Sequence, residues 1–267
     1  MRRYIERRCI ALLATTLLTT TLFTTSAHAQ RGGFRRSAPA PVINNPKYDG
    51  RFTFARIKYE TAPGGFYYMG LPAWAHGYPT AEQNFQRLLK ELSTARVHLE
   101  ATSVVALDDP ELMKYPVVFM TEAGFWTMNE KEMLGFRNYL LKGGFVIFDD
   151  FRDDFRNSKG WANFLALMGK VIPGARFLDL DPTYPIFHSF FQISSFNVLP
   201  QAYDRGKPQL RGLFEDNDPK KRMMAMINFD TDVSEYWEFS GTGFRPIAEG
   251  NEAYKLGVNY FIYALTH

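Results

Sequence analysis

The sequence predicts an α/β fold, a three-layer sandwich built on a mainly parallel central sheet. The main observation is the stretch 116–151, PVVFMTEAGFWTMNEKEMLGFRNYLLKGGFVIFDDF, in which an apolar run, a helical pattern and a second apolar run follow one another. Such a strand–loop–helix–strand unit places its two strands parallel in a buried sheet. Strand and helix patterns alternate along the rest of the chain, and short strand candidates near the C-terminus allow an antiparallel edge.

The first 29 residues have the three parts of a secretory signal peptide. Four arginines lie among the first eight residues, residues 10–23 are apolar and rich in threonine, and Ala27-His28-Ala29 fits a cleavage site. We therefore expect a periplasmic or secreted protein. An uncleaved membrane anchor is the alternative, although the apolar core is short for a membrane span.

Composition argues against two classes of function. Cleavage after Ala29 would remove Cys9, which is the only cysteine in the sequence. The exported chain would then have no thiol, which excludes disulfides, thiolate nucleophiles and thiolate metal ligands. A formal net charge of +3 is too small to indicate a nucleic-acid partner.

Residues 30–49 predict a flexible tether, because they are rich in Arg, Gly, Pro and Ala and contain little to bury. We expect contact with a membrane only through this basic tether or through an uncleaved signal. Residues 50–267 contain all the strand and helix patterns and no internal repeat, so they are expected to form a single α/β sandwich domain.

The elements of this domain follow from hydrophobic patterning. Strands are expected at residues 51–59, 97–99, 104–107, 116–121, 145–148, 177–180, 210–214 and 223–228. Helices are expected from residue 80 onwards, at about 129–142, at 160–168 and at about 252–265. Thr80 and Asn129 have the side chains of N-caps, and Gly143-Gly144 is a helix stop.

Carboxylates at the predicted strand ends are the candidate catalytic groups. Glu122 follows one strand and Asp149-Asp150 follow the next, and ligand sites in parallel sheets lie at the carboxyl ends of strands. His188 is the candidate histidine, because its aromatic neighbours would shift its titration. The other interpretation of the clustered aspartates is structural, as helix caps or as partners of Arg152 and Arg156.

The aromatic loops are the candidate ligand-binding surfaces. Residues 61–78 form a long loop rich in Gly, Pro and aromatic residues, which is either a lid or a packed surface loop. The candidate ligand-binding residues are Trp74 and His76 in this loop and Trp126 in the loop after residue 121. The tryptophans are chosen because indole rings stack on sugars and peptides.

Several catalytic and binding motifs are missing from the sequence. It contains no GxGxxG, no Walker pattern and no G-x-S-x-G elbow, so nucleotide binding by these loops and serine hydrolase chemistry are not indicated. The residues after Asn228 match an EF-hand loop only in part. The histidines have no companions at metal-ligand spacing. No cofactor and no metal site are therefore predicted.

Six motifs in order resemble the bacterial domain-of-unknown-function family 4159. They are RFTFARIKY, YPTAEQNF, the stretch from Tyr115 to Phe151, YPIFHSFF, NFDTDVSEYWE and AYKLGVNYFIYAL. The resemblance implies a fold similar to the class I glutamine amidotransferase sandwich, which is flavodoxin-like. In that wider fold a cysteine nucleophile follows a central strand, and Asp149-Asp150 occupy the comparable position here.

Two functions remain open at this point. The first is a non-catalytic binding or interaction module of the cell envelope, with an envelope protein or a carbohydrate or peptide ligand as its partner. The second is a hydrolase or lyase on an envelope substrate, with Glu122 and Asp149 or Asp150 as an acid–base pair and His188 assisting. A divalent cation is an optional part of the second function.

Overall fold

The computed structural model describes residues 43–63, 65, 67, 68, 70–153, 160–196 and 207–267. The strands are β1 (Ala55–Lys58), β2 (Glu60–Thr61), β3 (Tyr67–Tyr68), β4 (Leu71–Pro72), β5 (Ser103–Ala106), β6 (Val117–Thr121), β7 (Trp126–Thr127), β8 (Phe145–Phe151), β9 (Phe177–Asp179), β10 (Gln209–Phe214) and β11 (Met223–Phe229). The helices are α1 (Thr80–Leu92), α2 (Glu130–Leu141), α3 (Gly160–Val171), α4 (Val233–Glu238) and α5 (Ile247–Thr266). Within these described ranges, no helix is both long and apolar enough to cross a membrane. The predicted signal peptide and residues 30–42 of the predicted tether lie outside them.

Seven strands form the central sheet in the order β5-β1-β6-β8-β11-β10-β9. The first five of these strands are parallel to one another, and β10 is antiparallel to both β11 and β9. This confirms a mostly parallel α/β sheet, with the antiparallel pairing at the edge built by the C-terminal half. The chain passes from β1 to β5 on one side and then to β6 on the other, so strand order reverses between β1 and β6.

Helices cover both faces of the sheet, which gives three layers. Helices α2 and α3 contribute Phe136 and Phe164 to the apolar core on one face. Helices α1, α4 and α5 contribute Phe85, Trp237 and Phe261 to the core on the other face. Strands β6 and β8 are buried along their whole length, as expected for central parallel strands that pack on both sides.

Local sequence signals account for some helix ends and not for others. Asn129 caps α2 in a capping box with Glu132, and Gly143 follows the helix with φ of 109°. The predicted cap of α1 is wrong, because Thr80 is already helical and Pro79 occupies the N-cap position without a side-chain hydrogen bond. The short helix α4 lies where the sequence had indicated a loop.

The structure differs from the expected elements in three further places. Residues 97–99 do not form a strand, and Val97 makes only an isolated bridge with Phe52. Strand β8 continues beyond residue 148 to Phe151, so both aspartates lie within it. The end of the expected tether is attached to the domain, because Asn45 exchanges two hydrogen bonds of 2.8 Å with the backbone of Val104.

Candidate functional site

Three neighbouring strands end in residues with left-handed backbone conformation. Glu122 follows β6, Asp150 lies near the end of β8, and Asp230 follows β11, with φ values of 52°, 52° and 60°. Residues other than glycine adopt this conformation at a cost, and such strain concentrates at functional sites. These three acidic residues lie at the carboxyl edge of the sheet, close to the point where strand order reverses. Ligands of open α/β sheets bind in this region.

Hydrogen bonds from the sheet hold Glu122 in its strained conformation. Its amide donates to the carbonyl oxygen of Asp149 on β8 (3.0 Å). Its own carbonyl oxygen accepts from the Tyr59 hydroxyl (2.8 Å), which also bonds to the carbonyl oxygen of Thr121 (2.9 Å). Tyr59 directly follows β1, so this contact joins the two strands between which strand order reverses.

A β-bulge sets the different directions of Asp149 and Asp150. Ile227 of β11 pairs with Phe148, and Phe229 pairs with Phe151, so β8 has one more residue than its partner in this interval. A bulge bends its strand and redirects side chains, and bulges are frequent beside active sites. The two adjacent aspartates therefore have separate surroundings.

A buried ion pair positions the loop that carries His76. Arg56 of β1 and Glu82 of α1 are fully buried and form a salt bridge. The Arg56 guanidinium also donates to the carbonyl oxygens of Trp74 (3.0 Å) and His76 (2.5 Å). These contacts fix the backbone of the loop after β1 beside the strand ends.

His76, Glu122 and Asp150 meet in one cluster at this edge. The His76 Nδ1 atom lies 3.0 Å from Asp150 Oδ2 and 3.5 Å from Glu122 Oε1. One ligand atom from each residue lies within 4.8 Å of the others, so the group could hold a metal ion. Only the His76 side chain has appreciable exposure, at 18%. Solvent therefore reaches the cluster along the imidazole ring.

The proton affinities of the cluster depend on burial and on mutual charge. Burial lowers the pKa of His76, but hydrogen bonds to Asp150 and Glu122 outweigh it and raise the pKa to about 12. Burial, followed by the charge of Asp150, raises the pKa of Glu122 to about 8. For Asp150 burial acts upward, but the hydrogen bond and the charge of His76 bring its pKa below the usual value. The protonation state of each of the three groups therefore depends on the protonation states of the other two.

The side chain of Asp149 stabilises the fold through its hydrogen bonds. Its Oδ1 atom accepts from Asn228 Nδ2 (2.9 Å) and from the amide of Val233 (3.2 Å), and its Oδ2 atom accepts from the amide of Ser234 (2.8 Å). Burial raises its pKa to about 6 in spite of these hydrogen bonds. Asp149 thus satisfies the first amides of α4, as a helix-terminal carboxylate does.

Asp232 is the N-cap of the same helix and accepts from the amide of Glu235 (2.8 Å). Burial, together with the charges of Asp150 and Asp149, raises its pKa well above the usual value. Asp153, which precedes α3, accepts from the amide of Trp161 in the first turn of that helix (2.9 Å). The interpretation of strand-end aspartates as helix caps therefore holds for Asp149 and Asp153 but not for Asp150. Of the two arginines expected as partners of the aspartates, Arg152 acts on Asp150 through its charge and lowers the pKa of that carboxyl, and Arg156 lies outside the described residues.

The predicted catalytic residues are only partly brought together. Glu122 and Asp150 converge, but His188 is exposed, and its ring nitrogens pair with Gln192 Oε1 (2.8 Å) and the carbonyl oxygen of Pro182 (2.6 Å). The expectation that His188 meets the carboxylates is therefore wrong, and His76 occupies that place. His76 was predicted as a ligand-binding residue, but its contact with Asp150 was not foreseen, because 74 residues separate the two. Its location in the loop after the first strand was the available signal.

The predicted stacking tryptophans lie in the core. Trp126 is fully buried against Phe136, Phe148 and Phe164, with ring centroids 5.9 to 6.3 Å apart. Trp74 is 3% exposed, within a 3₁₀ turn whose three residues are all buried. A ligand has no indole face to stack on at either position. This part of the loop 61–78 is therefore packed onto the domain.

The comparison with protein families agrees with the sequence motifs. Residues 53–265 match the sequence model of the family described as a domain of unknown function (DUF4159). The chain belongs to this family, and the match includes the cluster of His76, Glu122 and Asp150. A search of curated proteins found no significant match.

Proposed function

We propose that the chain is an exported hydrolase or lyase acting on a component of the cell envelope, with Glu122 and Asp150 as the acid–base pair and His76 assisting them. The observation that carries this proposal is the buried convergence of the three side chains at the carboxyl edge of the sheet. Hydrolysis and elimination both require one group to remove a proton and another to supply one. Two carboxyl groups and an imidazole in contact meet that requirement.

The surroundings of these residues favour catalysis over simple binding. Glu122 and Asp150 both have left-handed backbone conformation, which folding alone does not favour. The non-catalytic binding module relied on the faces of Trp74 and Trp126, which are buried. That hypothesis loses its main contact surface, whereas the acid–base hypothesis gains a histidine.

The proposal includes two further statements about the chain. The signal pattern in residues 1–29 supports export to the periplasm or beyond. The mostly parallel sheet, covered by helices on both faces, supports a relationship with the class I glutamine amidotransferase fold. In this relationship the strained Asp150 would occupy the region of the missing thiol, and amidotransferase chemistry would be lost.

Purified peptidoglycan sacculi provide a test, because they contain both glycosidic and peptide bonds. We expect the protein to release soluble fragments, measured by reversed-phase chromatography. Glu122→Gln, Asp150→Asn and His76→Gln should each slow the release by about 100-fold or more. His188→Ala is the matched control and should leave the rate unchanged, because its ring nitrogens pair with Gln192 and Pro182 and not with the cluster.

Two other results would contradict the proposal. Sacculi that bind the protein but yield no soluble product would favour the non-catalytic module. Equal rates for the wild type and for folded Glu122→Gln and Asp150→Asn variants would assign any activity to another part of the chain. Export is tested separately by mass spectrometry of the protein from the periplasmic fraction, where cleavage after Ala29 is expected.

A further inference from the structure

The atoms of the cluster are spaced like the ligands of one metal ion. His76 Nδ1 is 3.0 Å from Asp150 Oδ2 and 3.5 Å from Glu122 Oε1. Ligand atoms about 2.1 Å from a common ion are roughly 3 to 3.5 Å apart in octahedral or tetrahedral coordination. The three side chains come from separate segments, between β1 and α1, after β6 and within β8, and the fold brings one ligand atom of each to within 4.8 Å of the others.

The second carboxylate oxygen of Asp150, Oδ1, also points to a missing ligand. Oδ1 is buried and has no hydrogen-bond partner among the residues that the structure describes. A buried carboxylate oxygen without a partner is costly, and in native proteins it calls for an explanation such as an ion or a water molecule. A cation at the cluster would supply the missing partner.

The balance of charge around the cluster also favours a cation. Four carboxyl groups are buried at this edge of the sheet: Glu122, Asp149, Asp150 and Asp232. Two nearby guanidinium groups already have carboxylate partners, since Arg56 pairs with Glu82 and Arg245 pairs with Glu235. His76 and Arg152 are the basic groups that act on Glu122 and Asp150, so carboxyl groups outnumber basic groups here and suit a bound cation.

We propose that His76, Glu122 and Asp150 bind one divalent transition-metal ion, such as Zn²⁺ or Mn²⁺, through the imidazole Nδ1 atom and one or more oxygens of each carboxylate. An imidazole ligand disfavours Mg²⁺ and Ca²⁺, which take oxygen ligands. Three protein ligands leave coordination positions for water or substrate, as in catalytic metal sites. The ion would lower the pKa of a bound water and so supply a nucleophile.

Ion binding rests on the contacts among His76, Glu122 and Asp150 alone. Only the use of the ion in catalysis rests on the proposed function. The full chain is treated with EDTA and dialysed, and Zn²⁺ or Mn²⁺ is then titrated in by isothermal calorimetry. We expect one ion per chain and a melting temperature that rises with ion concentration. His76→Ala, Glu122→Gln and Asp150→Asn should each weaken binding by about 10-fold or more.

The matched control is His98→Ala. His98 Nε2 lies 3.1 Å from Asp49 Oδ1, a histidine–aspartate contact of similar length at the surface. This variant should bind the ion with unchanged affinity. Far-UV circular dichroism checks that each variant is folded, and anomalous scattering from Zn²⁺-soaked crystals should give a peak between the three ligand atoms.

The possible failures can be told apart. No saturable binding to the wild type, or equal affinity in the folded Glu122→Gln and Asp150→Asn variants, would overturn the metal site. Fragment release from sacculi that continues at the same rate in EDTA would overturn the use of a metal and leave the proposed function standing. Specific ion binding without any turnover of sacculi would support the metal site and count against the proposed function.

Discussion

Arg56 and His76 are joined by a hydrogen bond of 2.5 Å from the buried guanidinium to the histidine's carbonyl oxygen. Arg56 is fully buried in β1, whereas the imidazole of His76 belongs to the cluster at the strand ends. Through this bond and the salt bridge to Glu82, helix α1 and strand β1 together fix the loop. Arg56 is therefore a positioning residue, and the stability of the core and the geometry of the site depend on the same side chain.

Replacing Arg56 with methionine should lower the free energy of unfolding by about 3 to 5 kcal/mol, because the carboxylate of Glu82 would remain buried without its partner. The double variant Arg56→Met/Glu82→Leu removes both charges and should recover much of this loss. Urea denaturation measures both effects. A double variant no more stable than the single one would show that the ion pair is not what stabilises this part of the core.

The fold was largely predictable because its signals are local. The capping box of Asn129 and Glu132, the positive φ of Gly143 and the apolar runs of β6 and β8 are all read from neighbouring residues. Helix α4 was missed because it has only six residues, and its amides are satisfied by Asp149, which is 84 residues away from Val233. Residues 229–244 contain the N-cap Asp232 but not the acceptor Asp149, which satisfies the first amides of the helix.

The site was only half predictable for the same reason. Glu122 and Asp150 follow from the rule that ligands lie at the carboxyl ends of parallel strands. The histidine depends on how the loop after β1 folds back, and that is decided by the buried contact with Arg56. Aromatic content misled the prediction at Trp74 and Trp126, because large side chains are as suited to the core as to a ligand surface.

Gly135 provides a test of close packing between α2 and the rest of the domain. A Cβ atom at this position would collide with the carbonyl oxygen of Leu107, which is backbone and cannot rotate away. We expect Gly135→Ala to lower the free energy of unfolding by about 1 to 3 kcal/mol. Gly169→Ala in α3 is the matched control, since nothing lies within 4 Å of its added Cβ.

The control should be more stable than the wild type by up to about 1 kcal/mol, because alanine favours the helix over glycine. Thermal denaturation of the two variants provides the comparison. Equal stability of Gly135→Ala and Gly169→Ala would mean that α2 can move away from Leu107 without cost.

Substitutions of Trp126 distinguish a role in core packing from a role in ligand binding. Trp126→Ala removes a buried ring from contact with Phe136, Phe148 and Phe164 and should cost about 3 to 5 kcal/mol of stability. Trp126→Phe retains part of the packing and should cost less. Co-sedimentation with peptidoglycan sacculi should be the same for folded Trp126→Phe as for the wild type. If Trp126→Phe lost sacculus binding while its stability was unchanged, the aromatic loops would be a ligand-binding surface.

The adjacent residues Asp149 and Asp150 should differ in how much stability they lose on substitution. Asp149→Ala leaves Asn228 Nδ2 and two amides of α4 without their acceptor, so the free energy of unfolding should fall by about 2 to 4 kcal/mol. Asp150→Asn removes a buried charge that has one unpaired oxygen, and asparagine tolerates the left-handed conformation. In EDTA this variant should therefore lose less stability than Asp149→Ala, about 1 kcal/mol, since the amide oxygen can still accept from His76.

Chemical denaturation in EDTA, repeated with excess Zn²⁺, tests this contrast. The ion should stabilise the wild type and Asp149→Ala, and it should stabilise Asp150→Asn much less, because of the two aspartates Asp150 is the one whose carboxylate contacts His76. Substitution of a strained functional residue should cost the protein less stability than substitution of a structural residue that satisfies several donors. If Asp150→Asn were as destabilised in EDTA as Asp149→Ala, Asp150 would be a structural residue, and the strained end of β8 would have no functional explanation.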